Sequence, residues 1–159
     1  MEGEHTIDRC YDVTVDTLRR VFAAMAHQRV ITEQLVLKTS MVISAKKCPV
    51  QASVETVAAM TVRCLLNAVP ASVPGIVFLS GGQSPQLATE HLNAMHVGGQ
   101  KYPWPLSFSY GRALQEPALK TWKGNAANVD AAQKALHHRE KMNSLACLGK
   151  YTTELEKAA

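Results

Sequence analysis

Ile76-Val77-Phe78-Leu79-Ser80-Gly81-Gly82-Gln83-Ser84-Pro85 is the stretch on which the fold turns. Four apolar residues, two of them β-branched, have the length and composition of a buried strand. Ser80-Gly81-Gly82 stops the run at a sharp turn, where glycine gives the backbone freedom that other residues lack. Ser84 then stands where a helix wants an N-cap oxygen, with Pro85 in the first helical position, where its missing N–H costs nothing. Strand, glycine turn and capped helix form the working part of a βαβ unit.

The same grammar extends in both directions. Upstream, Ser53 caps a helix carrying Val54, Val57, Ala58, Val62, Leu65, Leu66 and Val69, with Pro70 and Pro74 beyond its end. Before it lie a polar loop at 44–52 containing Pro49 and a short apolar run, Gln34-Leu35-Val36-Leu37-Lys38, that ends on a cation. Val15, Leu18, Val21, Phe22 and Met25 predict a first helix over 13–28, capped by Asp12 or Thr14. Downstream, the helix from Pro85 reaches about Met95, and Gly98-Gly99 and Pro103 mark a loop. A third run, Leu106-Ser107-Phe108-Ser109-Tyr110, meets Gly111-Arg112, from which a short helix runs toward Trp122. Asn128 caps a last helix with Val129, Ala132, Leu136, Met142 and Leu145, closing at Gly149. Thr152 to Ala159 reads as a polar, frayed tail.

Strands alternating with helices imply a parallel sheet covered by helices. No Gly-x-Gly-x-x-Gly is present, so a dinucleotide fold lacks its main signature. The alternative is a (β/α)8 barrel, which takes about 250 residues and eight strands. With three strands in 159 residues, the expectation is an incomplete barrel of the α/β class.

Composition narrows the function. The chain is 47% hydrophobic and 19% charged, a globular balance. No apolar run approaches about 18 residues, so no transmembrane helix is expected, and the polar, acidic start lacks the pattern of a secretory signal. The formal net charge of +4 is scattered, which favours anionic ligands weakly and makes no case for nucleic acid. Cys10, Cys48, Cys64 and Cys147 form no Cys-x-x-Cys pair, so structural zinc and a disulfide framework are poor readings; free thiols and a cytoplasmic location fit better. The six histidines show no metal-type spacing, and His137 and His138 would face different sides of a helix.

In a barrel of this kind, chemistry sits at the carboxyl ends of the strands. Those ends carry Lys38, Ser80-Gly81-Gly82 and Gly111-Arg112. Singly, each has an ordinary reading: a solvated lysine, a glycine turn, an arginine opening a helix. Together they offer one amine and two adjacent anion sites. A lysine nucleophile needs desolvation or nearby cations to lose its proton, and arginine suits bidentate phosphate contact.

These residues lie in stretches that resemble the C-terminal part of class I fructose-bisphosphate aldolase. The resemblance is carried by Leu35-Val36-Leu37-Lys38, by Val73-Pro74-Gly75 through Ser84, and by Leu92-Asn93-Ala94-Met95. It continues through Phe108-Ser109-Tyr110-Gly111-Arg112-Ala113-Leu114-Gln115, Leu119-Lys120-Thr121-Trp122, Asn143-Ser144-Leu145-Ala146 and Gly149-Lys150-Tyr151. It implies that residues 1–151 form the C-terminal portion of a TIM barrel, followed by a polar tail at 152–159. It implies a Schiff-base lyase of glycolysis and gluconeogenesis, with Lys38 forming an imine with the ketose carbonyl. Ser80 and Gly81 would contact a substrate phosphate, and Gly111 and Arg112 would complete that site. No cofactor or metal would be needed, because the iminium polarises the substrate. The substrate would be a sugar bisphosphate, and the resemblance suggests a homo-oligomer, commonly a tetramer.

Three departures qualify the expectation. The family's acid/base glutamate, its catalytic aspartate and two other active-site lysines lie on earlier strands, which this sequence does not show. Thr39-Ser40 stands where the family usually has Pro-Asn, and the family's long tail is absent after Tyr151. An inactive fragment is therefore expected when the chain stands alone, the alternative being a non-catalytic aldolase-derived protein that binds phosphate or pairs with a subunit. Three parallel strands also leave two edges and an inner face unpaired, so inward side chains from among Val36, Phe78 and Phe108 would meet water or another chain.

Overall fold

The computed structural model describes residues 2–157; the expectations for Met1 and for Ala158-Ala159 at the end of the tail lie outside the described residues. Three strands, β1 (Val36–Thr39), β2 (Gly75–Phe78) and β3 (Leu106–Phe108), pair in parallel in chain order. Among the described residues five α-helices accompany them: α1 (Ile7–His27), α2 (Val54–Ala68), α3 (Pro85–His96), α4 (Arg112–Trp122) and α5 (Val129–Ala146). The three βα units read from the sequence are present. Ser53 Oγ accepts from Thr56 N, and Ser84 Oγ accepts from Leu87 N ahead of Pro85.

Register explains which side chains share a face. Lys38 lies opposite Val77, and Val77 opposite Ser107. Successive residues alternate faces, so these three point to one side. Ile76, Phe78 and Leu106 point to the other and are buried beneath the helices. The helix-covered face is the core. The opposite face, which would line the barrel's interior, carries Val36, 61% exposed, beside the exposed Lys38. Of Val36, Phe78 and Phe108, Val36 is exposed, Phe78 is fully buried and Phe108 packs against the core half-buried.

Several boundaries differ from the sequence reading. α1 starts at Ile7, capped by Thr6, whose Oγ1 accepts from Arg9 N, not at Asp12 or Thr14. Its fully buried stripe begins only at Val15, and apolar spacing sees only the turns that bury one. The third strand closes at Phe108, two residues short of the apolar run. Asn128 precedes α5 but makes no side-chain cap; its amide donates to Trp122 O at the end of α4. Met41, Val42 and Ile43, together with Ser44, Ala45 and Cys48 of the expected polar loop, are buried without regular structure.

The tail is the main correction. Thr153–Lys157 forms a 3-10 turn rather than fraying, because Glu156 has partners waiting. Arg139, 2% exposed on α5, donates to both Glu156 carboxylate oxygens, to Pro85 O and to Thr89 Oγ1. His138 and the Tyr151 hydroxyl also reach Glu156, and Thr89 donates to Asn143 Oδ1 at 2.7 Å. Burial opposes the charge on Glu156, but hydrogen bonds from Arg139, His138 and Tyr151 outweigh it and hold the carboxyl below its usual range.

Candidate functional site

Parallel strands end on one rim, and here the rim is extended by two further backbone bonds: Leu79 N donates to Thr39 O at 2.9 Å, and Ser109 N to Phe78 O at 2.8 Å. This alignment brings all five residues singled out from the sequence, Lys38, Ser80, Gly81, Gly111 and Arg112, to the wall of one cavity of about 510 Å³. Lys38 projects from the open sheet face, Ser80 and Gly81 follow β2, and Gly111-Arg112 open α4.

The turn after β2 is built for close approach. Gly81 and Gly82 have φ of +61° and +76°, in the left-handed region that glycine enters without strain. A Cβ placed on Gly82 would lie 2.8 Å from Lys46 Nζ and 3.5 Å from an Arg112 guanidinium nitrogen. Two cations thus meet over one glycine. Gly111, at the N-cap of α4, has no side chain to satisfy the helix's first amides, and the space beside it is open. Close approach at Gly111 comes from that open space and not from an unusual φ, which is −84°.

Behind the turn, Gln83 fixes its shape. Gln83 Nε2 donates to Ser80 O at 3.0 Å, doubling the backbone bond from Gln83 N to the same carbonyl. That leaves Gln83 Oε1 as an acceptor for His91 Nδ1. His91 is 3% exposed, and burial pushes its imidazole down to about 4 against a small opposing effect of Glu55, so the ring is a neutral donor.

Two wall residues escaped the sequence reading: Lys46 and Glu2, whose Nζ and Oε1 are 2.7 Å apart. The hydrogen bond and charge of Lys46 hold the Glu2 carboxyl below its usual range. The signal for Lys46 was only a Lys46-Lys47 pair in an irregular loop, and Glu2 reaches the rim through a contact 44 residues away in sequence.

The model of the family described as glycolytic fructose-bisphosphate aldolase class-I matches residues 1–159. The chain belongs to the class-I fructose-bisphosphate aldolase family. Among aldolase relatives, a probable class 1 enzyme of Xanthomonas campestris is 55% identical over 152 residues, covering 95% of this chain and 45% of the relative. The fructose-bisphosphate aldolase of Dictyostelium discoideum is 49% identical, with 97% and 43% covered. A solved aldolase of Plasmodium falciparum, crystallised with TRAP and a small-molecule inhibitor, superposes with a TM-score of 0.92 at 42% identity, over 95% of this chain and 43% of that one. The chain therefore spans less than half the length of the aldolases it matches, in agreement with a three-stranded, incomplete α/β barrel.

Proposed function

We propose that the rim cavity is the sugar-phosphate half of a class I aldolase site, with Lys38 as its Schiff-base residue. The observation carrying this reading is the convergence of one amine, the Ser80-Gly81 turn and the Gly111-Arg112 helix start on a single cavity. Lys38 Nζ would add to the C2 carbonyl of fructose 1,6-bisphosphate, and loss of water would leave an iminium. When the C3–C4 bond breaks, its electron pair moves into the iminium, giving an enamine of dihydroxyacetone phosphate and free glyceraldehyde 3-phosphate. The Ser80-Gly81 turn and the α4 start with Arg112 would hold the phosphate next to the reacting carbon, turning binding into orientation.

Proton transfers need a carboxylate or equivalent base, and Glu2, tied to Lys46, is the carboxylate lining this cavity among the described residues. The full cleavage cycle is therefore proposed for a barrel of the length its relatives have. A cytoplasmic location and a homo-oligomer belong to the same proposal; no helix among the described residues is long and apolar enough to cross a membrane. The test is borohydride trapping with dihydroxyacetone phosphate, followed by peptide mapping. Label on Lys38 is expected; label on another lysine, or none, removes Lys38 from the mechanism.

A second reading is favoured by one observation, the solvent-exposed Val36 on an open sheet face whose edge strands β1 and β3 each pair on one side. On this reading the chain binds phosphate without turnover and pairs with another subunit through that face. The borohydride experiment distinguishes the two: label on Lys38 supports the first reading, and phosphate binding with no label supports the second.

A further inference from the structure

The cavity wall holds a charge pair that neither the family's motifs nor the phosphate reading uses. Backbone bonds deliver it. Ala45 N donates to His5 O at 2.9 Å and Lys47 N to Gly3 O at 3.0 Å, so residues 3–5 lie along 45–47 and carry Glu2 to Lys46. Lys46 Nζ in turn lies over Gly82, on the side where Arg112 also arrives.

We propose that Lys46 is a second cationic ligand of the phosphate cradle, beside Arg112, and that Glu2 competes with the anion for it as an intramolecular substitute. The inference rests on the cavity being a phosphate site. The Lys46 and Glu2 side chains are 43% and 79% exposed, and an exposed ion pair contributes little against water and salt. A phosphate dianion brings more charge than one carboxylate and meets Arg112 at the same glycine, so it displaces Glu2 rather than adding to it. The exchange involves no covalent step: one anion leaves the ammonium as another arrives. Its consequence is selectivity, since a singly charged ligand gains little by evicting a carboxylate already in place.

Titration of the full chain with inorganic phosphate, followed by calorimetry at fixed ionic strength, tests this. Both residues are exposed and neither belongs to the core, so their variants keep the fold. Glu2→Gln is expected to bind phosphate about two- to fivefold more tightly, the scale of releasing a surface pair. Lys46→Met is expected to bind about three- to tenfold more weakly, while Lys46→Arg stays near the parent. The double variant should match Lys46→Met alone, because Glu2 matters only through Lys46. Unchanged binding in Glu2→Gln, or a double variant tighter than Lys46→Met, overturns the inference. Arg112→Ala separates the layers: if it loses phosphate while positions 2 and 46 are silent, only this inference fails. If the parent chain shows no phosphate binding, the phosphate reading fails with it.

Discussion

Two arginines divide the molecule's electrostatics. Arg139 is buried on α5 and donates to Glu156, Pro85 and Thr89, while Arg112 opens α4 on the rim, exposed, beside Lys46 and the Gly81-Gly82 turn. The first is committed to the fold. The second is left available to a ligand. The lesson is that charge alone says nothing of role; what matters is whether the protein has already supplied the counter-charge. The tail does so for Arg139; on the rim cavity wall the exposed Glu2 does so for Lys46.

Substituting methionine at each position tests that division. Arg139→Met leaves Glu156 half-buried without its main partner and should cost about 3–5 kcal/mol in urea denaturation. Arg112→Met should cost less than about 0.5 kcal/mol, as surface changes do. Comparable losses at both positions would show that the rim arginine is structural, and the contrast would be lost.

The next effect compares two glycines. Both have positive φ, yet an added Cβ meets different neighbours. At Gly149 it would lie 2.7 Å from His96 O and 2.9 Å from His96 C, which are backbone atoms at the end of α3. At Gly82 the obstacle is the tip of a flexible lysine. Gly149→Ala is expected to destabilise by about 3 kcal/mol, combining left-handed strain with a forced backbone shift, and Gly82→Ala by about 1–2 kcal/mol from strain alone. Thermal melts of the two variants check the order; a larger loss at Gly82 would mean that the lysine is not free to move.

How much of this was legible follows the range of the interactions. The βα units were readable because Ser53, Ser84 and Pro85 act on amides within three residues, and strand alternation is local. The five rim residues were readable because parallel strands bring their carboxyl ends together. Lys46, Glu2 and the Arg139–Glu156 cluster were not, since each depends on partners 17 to 54 residues apart whose meeting is decided by packing. The tail illustrates the gap: Thr152 to Lys157 is polar throughout except Leu155, and nothing in its composition announces that a buried guanidinium needs Glu156.

His91 joins the two regions, and acid should reveal it. α3 carries both Thr89, bound to Arg139, and His91, bound to Gln83 behind the rim turn. An unfolded histidine takes up a proton near pH 6.5, whereas burial holds the folded His91 neutral down to about 4, with Glu55 opposing weakly and Lys46 lining the same cavity of about 380 Å³. The folded value is the lower one, so the stability tied to the neutral ring is complete above pH 6.5 and declines as the pH falls from 6.5 toward 4. The loss should be on the order of 2 kcal/mol. Glu156, also depressed, adds its loss only below the ordinary carboxylate value of 4.5. Urea denaturation at pH 7.0 and 5.0 therefore isolates the histidine. His91→Asn should flatten the difference between these two pH values; a variant that keeps the parent's pH dependence would place the titrating group elsewhere and detach the rim turn from acid-induced loosening.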